Sequence, residues 1–377
     1  MRIWECNMQI EIYKMTADND SLTITLEAIC DSFSSLIWDI EYYQCGQFEV
    51  YIAASPRNIE IFQTGRIVGR DDDSQHFGII ESVQNDTDIE NGDYITVRGR
   101  FLMCLLERRI IYPTLSFTSQ TTYSDIVRTA VTQNAIDAAE RKIPGLSLGT
   151  VKGNCWEQTA TLQVSYDNLM EWIYTICEKI GGTANVRLVK ESGEQYKMVF
   201  ELSEGIDRSM MQAANPHIIF SDAYSNLLSF SYAEDASIQR NFAYILGQGE
   251  GAERKQTTYC DGDAPTYLDR YEIYVDAKDI SEEQDVDGET VPIPEPEYIE
   301  LLKTRGSENI VSPKIASESE IAANNTQYVY GKDYAVGDYV TVQHRRFGMI
   351  QPKIQLTGMI EAFDRNGRSL TPTFTEV

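Results

Sequence analysis

Histidine is nearly missing from this sequence. His76, His217 and His344 are the only three in 377 residues. They stand far apart, none of them in a His-Glu-x-x-His word or beside a Cys-x-x-Cys, so no zinc-type ligand set is legible. Cations are scarce as well. Lys and Arg number 32 against 58 Asp and Glu, for a formal charge of −26, a surface that repels phosphate and argues against DNA or RNA as a bound ligand while leaving nucleic acid possible as a neighbour. Long apolar runs are absent. The N-terminus carries nothing of signal-peptide length and no segment nears the roughly 18 residues of a membrane span. Cysteine is sparse and odd in number: Cys6, Cys30, Cys45, Cys104, Cys155, Cys177 and Cys260 are evenly spread in apolar context and read as reduced core residues. These absences lead us to expect a chain folded in a reducing cytoplasm, with no nucleophile elbow, catalytic residue, cofactor or metal site; carboxylates are too abundant for a glycosidase pair to stand out.

Strand pattern is what the chain has in quantity. Hydrophobic residues make up 42%, enough for real cores in two to three domains of roughly 150 residues each. The organising stretch is 34–53. Residues 36–43 and 48–52, rich in aromatic and β-branched side chains, flank a polar break at 44–47 containing Gly46, the pattern of a β-hairpin with apolar side chains on both faces. Residues 8–13, 22–29, 59–68 and 76–83 continue the strand pattern, and Glu90-Asn91-Gly92-Asp93 is a turn launching a strand over 94–100. Between two of these strands lies Asp71-Asp72-Asp73. Clustered oxygens suit a hard cation, but without a spaced second cluster the triplet reads as a solvated hairpin tip.

Helical periodicity begins after Pro113. Thr122-Tyr123-Ser124-Asp125 has capping-box spacing, and Ile126, Val127, Ala130 and Val131 share one helical face. A second helix is expected over 168–180, its stripe of Leu169, Trp172, Ile173, Ile176 and Ile180 ending at Gly181-Gly182. The stripe reads as core rather than as a ligand platform. A hairpin over 184–189 and 196–202 turns at Glu191-Ser192-Gly193. Strands resume at 227–232 and 240–246, leading into Gly247-Gln248-Gly249-Glu250-Gly251-Ala252. This matches Gly-x-Gly-x-x-Ala, yet residues 253–259 read as a return strand, whereas a phosphate loop must open a helix. Residues 276–300 are the most acidic stretch. Asp285-Val286-Asp287-Gly288-Glu289 is too short for a calcium loop, so we expect a mobile surface loop, then a short helix over 297–305 stopped by Gly306, then irregular or extended chain over 312–321. Gly337-Asp338-Tyr339-Val340-Thr341-Val342 echoes Gly92-Asp93-Tyr94-Ile95-Thr96-Val97.

Five words, in chain order, carry a family resemblance: the hairpin Leu-Ile-Trp…Tyr-Tyr-x-x-Gly-x-Phe-Glu, then Glu107-Arg108-Arg109-Ile110-Ile111-Tyr112-Pro113, then Phe220-Ser221-Asp222-Ala223-Tyr224-Ser225-Asn226-Leu227-Leu228, then Tyr267-Leu268-Asp269-Arg270-Tyr271-Glu272-Ile273-Tyr274-Val275-Asp276-Ala277, and finally the run from Tyr330 through Gly337 to Val342. Together they resemble the tail hub family of phages with long, non-contractile tails, which is related in fold to the baseplate hub of contractile tails. The resemblance implies a β-rich α+β fold with two tube-type β-barrel-like domains, a small α/β domain and an inserted acidic segment containing a helix. The domains expected are 1–113 (first tube-type), 114–222 (α/β), 223–262 with 325–377 (second tube-type), and 263–324 (insertion). It also implies a homotrimer, looking sixfold, that closes the distal end of the tail tube in the virion. Its partners would be a distal tail protein, tail tube and tape-measure proteins, and a separate tail fibre or lysin, with double-stranded DNA passing through unbound. Peptidase or lysin activity would lie on another chain, since this one ends at Val377 just after the last expected strand. The alternatives are a cell-wall hydrolase, which would turn over peptidoglycan or an ester, and a glycan-binding tail protein, which would expose paired aromatics on loops.

Overall fold

The computed structural model describes residues 8–18, 21–88, 92–191, 195–251, 254–286, 289–321, 327–345 and 348–375. Strand accounts for 49% and helix for 19%, so the class is β-rich α+β, as expected. The first third runs β1 (Ile10–Asp18), β2 (Ser21–Cys30), β3 (Ser35–Glu41), β4 (Gln47–Ala53), α1 (Pro56–Ile61), β5 (Ile67–Arg70), β6 (Asp73–Asp88), β7 (Gly92–Phe101) and the single turn α2 (Cys104–Glu107). Next come β8 (Leu115–Thr122), α3 (Tyr123–Val131), β9 (Leu146–Val151), β10 (Thr159–Val164), α4 (Leu169–Ile180), β11 (Gly182–Lys190), β12 (Tyr196–Glu204), β13 (Ile219–Ser221) and β14 (Leu227–Asp235). The last third holds β15 (Phe242–Leu246), β16 (Gln256–Tyr259), β17 (Glu272–Asp276), β18 (Glu283–Val286), β19 (Glu289–Pro292), α5 (Glu295–Ser307), β20 (Lys314–Ile321), β21 (Tyr339–His344), β22 (Met349–Asp364) and β23 (Gly367–Thr375).

Sixteen strands join in one sheet. Its order is β11-β12-β2-β1-β5-β6-β7-β4-β3-β22-β23-β20-β14, with β9 beside β12, β21 beside β22 and β13 beside β21. The central hairpin forms as expected, Leu36 opposite Val50 and Trp38 opposite Phe48. Its alternation drives it: Leu36, Trp38, Ile40, Phe48, Val50 and Ile52 are all buried on one face, each contributing about 1.5–3 kcal/mol of transfer free energy. The other face is half open, with Ile37 37% exposed and Tyr51 stacked on Tyr94 at 4.6 Å, so only one face is core.

Helices form where their caps are written. Thr122 accepts a hydrogen bond from the Asp125 amide at 3.2 Å, and Asn168 caps α4 through the Met170 and Glu171 amides. Gly181 ends α4 at φ 75°. Of the expected stripe, Leu169, Ile173, Ile176 and Ile180 are buried and Trp172 packs at its margin. A strand over 59–68 is corrected: residues 56–61 are helix, because Ser55 accepts from the Asn58 amide and Pro56 sits in the first turn, a start signal that outweighs the apolar alternation after it.

The acidic stretch is also corrected. Residues 276–300 hold the β18–β19 hairpin and the opening of α5, pinned by buried Ile280 and Ile293. The helix is longer than expected and Gly306 lies within it, buried against Ile245. Residues 287 and 288 of the word weighed and rejected as a calcium loop fall outside the described residues, as do 90, 91, 192, 193, 252 and Cys6. β15 pairs antiparallel with β16 and in parallel with β17, so strands expected in the second tube-type domain share a sheet and a core with the segment expected as an insertion. Cys30, Cys104, Cys155 and Cys177 are buried and Cys45 and Cys260 partly so, all as free thiols. No described helix is long and apolar enough to cross a membrane.

Candidate functional site

The hairpin motif acquires its meaning where β3 meets β22. Trp38 stands opposite Glu361, and the ladder runs from Ser35–Asp364 to Glu41–Gly358, so strands more than 300 residues apart join the two β-rich halves. A buried charge network sits on this seam. The Arg70 guanidinium, 3% exposed, donates to Glu361 at 3.1 Å and to both oxygens of Asp72 at 2.8 and 2.9 Å. It also lies 5.5 Å from the Trp38 ring and 4.7 Å from that of Phe363. Arg368 pairs with Glu361 from the next strand. Burial pulls the Arg70 guanidinium down, but Asp72 and Glu361 outweigh it and push the group above its ordinary value.

Asp73 completes the network. Its carboxylate accepts from Trp38 Nε1 at 3.0 Å, from the Gln75 amide at 2.9 Å and from the His76 amide at 3.2 Å, and it meets His76 Nδ1 at 2.8 Å. Burial alone would push this carboxyl up; the His76 ring and the amide donors hold it well below the usual carboxylate range. The reading of Asp71-Asp72-Asp73 as a solvated hairpin tip holds for Asp71 and Asp72, which are exposed in the β5–β6 turn, and is corrected for Asp73. Asp71 accepts the Gln9 amide, Asp72 holds Arg70 and Asp73 is nearly buried; the signal was Arg70 beside the triplet, whose partner Glu361 no local pattern reveals.

The rest of the hairpin word ties in the α/β segment. Tyr42 donates from its hydroxyl to the Gly181 carbonyl at 3.2 Å and accepts from the Gly205 amide at 2.9 Å. Its backbone carbonyl accepts from Thr183 at 2.6 Å and its amide donates to the Thr357 carbonyl at 2.9 Å. Tyr43 donates to Gln355 at 2.6 Å, which in turn donates to the Gly337 carbonyl at 2.9 Å. A Cβ on Gly46 would lie 2.3 Å from the Asp39 carbonyl and 2.6 Å from the Phe101 ring, so only glycine fits that approach. A cleft of about 230 Å³ opens beside the seam, lined in part by Tyr42, Gln44, His76, Asn185, Glu201 and Tyr330.

No catalytic constellation assembles there. His76 is engaged by Asp73, and His217 bonds the Gln212 carbonyl at 2.7 Å. Among the described residues no group of three or more His, Cys, Asp or Glu could hold a metal ion. The sequence does contain the Gly-x-Ser-x-Gly spacing that was not expected, at Gly145-Leu146-Ser147-Leu148-Gly149. It forms strand β9, and Ser147 Oγ donates to the Met198 carbonyl at 3.3 Å; an elbow needs a strand-to-helix turn. The Gly247–Gly251 run lies between β15 and its antiparallel partner β16, and among the described residues no α-helix follows it before that strand.

The two echoing words fold alike. Gly92 and Gly337 both take positive φ, 88° and 99°, and each precedes three consecutive buried strand residues: Ile95, Thr96, Val97 and Val340, Thr341, Val342. A family model covering residues 10–374 matches this chain. The chain belongs to the Siphovirus ReqiPepy6 Gp37-like protein family. Its fold is shared with a tail protein of Neisseria meningitidis MC58 at TM-score 0.56 and 13% identity, covering 98% of this chain and 96% of that one. The 43 kDa tail protein of prophage MuSo2 from Shewanella oneidensis is similar at TM-score 0.54 and 11% identity, with 97% and 98% covered. Prophage tail protein gp18 of Listeria monocytogenes EGD-e is similar at 0.52 and 12%, with 98% and 94% covered. No curated protein matches the chain. The tail-protein resemblance read from five sequence words thus agrees with both family and fold.

Proposed function

We propose that this chain is a structural, non-enzymatic virion protein: a tail hub that trimerises, closes the distal end of the tail tube and forms part of the DNA exit channel. The observation that carries the reading is the β3–β22 seam. It fuses two β-rich halves, each with its own Gly-Asp-Tyr-x-Thr-Val strand, into one sheet, so three chains would supply six related units around an axis. That count matches a sixfold tube through a closed heterologous ring. In this reading residues 1–113 form the first tube-type unit, 223–235 with 314–377 the second, 114–222 a peripheral α/β unit and 236–313 an appended one. Its neighbours would be a distal tail protein, tube and tape-measure proteins, and a separate fibre or lysin. Reconstruction of the native tail should place three copies at the tube's distal end; a single copy or a twofold pair there would refute the hub.

A second reading, host-surface glycan binding, has one observation in its favour. Tyr267 and Leu268 are 94% and 93% exposed, Tyr267 has φ 52°, and on the same unit Tyr244 and Tyr274, both exposed, sit in register on neighbouring strands. Exposed rings on adjacent strands suit stacking on a sugar chain. Binding to a glycan array that is lost in Tyr267→Ala would favour this role; a blank array would remove it.

A further inference from the structure

The word Glu107-Arg108-Arg109-Ile110-Ile111-Tyr112-Pro113 takes no part in the seam or its network. Among the described residues most guanidinium groups at the surface meet carboxylates: Arg66, Arg98, Arg100, Arg187, Arg208 and Arg305 all do. Arg108, Arg109 and Arg141 form no such pair among those residues. Arg109 donates instead to the carbonyls of Arg108, Arg141 and Lys142. Arg141 donates to the carbonyls of Ile110 and Tyr112. Of the carboxylates close to them in sequence, Glu107 is held by Arg100 at 2.7 Å while also lying in the field of Arg108, and Glu140 forms no ion pair with its neighbour Arg141 among the described residues.

Three arginines are thus gathered with no carboxylate paired to them among the described residues, in a chain of charge −26. Burial first, and then the charges of Arg141 and Arg108 beside it, depress the Arg109 guanidinium below its ordinary value. Apolar groups flank them. Ile110, Tyr112 and Tyr166 are 46%, 53% and 67% exposed, and the two tyrosine rings stand 6.1 Å apart. Tyr166 is held at φ 63° by its amide bonding the Ile111 carbonyl at 2.8 Å, and a bulky residue kept in left-handed backbone is unusual without a use.

We infer that this Arg108–Arg109–Arg141 surface, with Tyr112 and Tyr166, docks an acidic segment of a partner protein, one carrying carboxylates beside an aromatic or aliphatic anchor. Guanidinium forks fit carboxylates in bidentate fashion, and Arg and Tyr are the residue types that dominate binding at protein interfaces. A short acidic segment touches only the cationic patch. Duplex DNA, with a charge about every 1.7 Å of axis, would extend past the patch onto the acidic surface around it. The inference stands whether or not the chain assembles as a ring.

The test uses the full-length protein and three immobilised probes: a random Glu–Tyr copolymer, poly-Glu and a duplex DNA. Wild type should retain the copolymer most strongly, with affinity falling as salt rises. Arg108→Glu, at an exposed position, should weaken retention about tenfold or more with an unchanged melting temperature. Tyr166→Asn, which tolerates the left-handed backbone, should weaken the copolymer more than poly-Glu. Failure of wild type to retain the copolymer, equal retention by Arg108→Glu, or tighter retention of the duplex would each overturn the inference.

Discussion

At the scale of single residues, the seam holds the most deeply buried ion pair among the described residues. Arg70 and Glu361 have side chains only 2% and 3% exposed, and desolvating two charges is tolerable only while each keeps a partner. Arg70→Met strands Glu361 with Arg368 alone, and Glu361→Leu strands Arg70 with Asp72 alone. Each should cost about 3 kcal/mol, read as a lower urea midpoint. The double variant Arg70→Met/Glu361→Leu should lose less than the sum of the two, and strict additivity would contradict a coupled pair. Asp73 adds a pH dependence. Its folded pKa lies below the unfolded value of about 3.9, so ionised Asp73 stabilises the fold above roughly pH 4 and that contribution drains away as pH falls toward the folded value. The melting-temperature gap between wild type and Asp73→Asn should be widest near neutral pH and narrow on acidification. A gap equal at both ends would mean that the carboxylate charge contributes nothing.

Elements were legible in proportion to how local their causes are. The 36–52 hairpin, the Thr122 and Asn168 caps and the Gly181 stop are all decided within a few residues, and all of them appear where their signals stand. The helix at 56–61 was hidden by the alternation of Ile59, Ile61 and Phe62, although Ser55-Pro56 marked its start. The β18–β19 hairpin was masked by its acidic composition; what orders that stretch is Ile280 and Ile293 packing on Tyr298 and Leu302. The β3–β22 pairing had no local signal at all, since register across 320 residues is written only in which faces are apolar. The echoing words show the limit of pattern: a Cβ on Gly92 would meet only the Tyr94 ring at 3.9 Å, but one on Gly337 would come 2.2 Å from the Tyr42 ring. Gly92→Ala should therefore cost only the left-handed penalty of about 1–2 kcal/mol. Gly337→Ala should cost more and displace Tyr42 from its Gly181 and Gly205 bonds. Thermal melts of the two variants check this, and equal losses would mean that Tyr42 is not anchored at the seam.

For the whole molecule the question is what a −26 chain would do beside DNA in the proposed channel. A channel wall rich in cations would release counterions at each phosphate contact and hold the genome, whereas an acidic wall lets a polyanion pass. The side chains of Asp71, Asp72 and Asp73 bond the Gln9 amide, Arg70 and Trp38, so these three carboxylates are tied to the fold beside the seam. On the half-open face of the hairpin the charges come in opposed pairs across strands, Glu49 with Arg98 at 2.5 Å and Glu81 with Arg100 at 2.9 Å. Such a face has little net pull on phosphate. If that face lines the proposed channel, neutrality by pairing rather than a bare acidic wall is what keeps DNA moving, and breaking the pairs should create a brake. Glu49→Gln with Glu81→Gln frees Arg98 and part of Arg100, and gel-shift titration should then detect duplex DNA binding at low salt that wild type lacks. Binding by wild type at physiological salt would defeat the channel reading. Binding by neither protein would show that this face does not meet DNA, and would move the lumen to another part of the sheet.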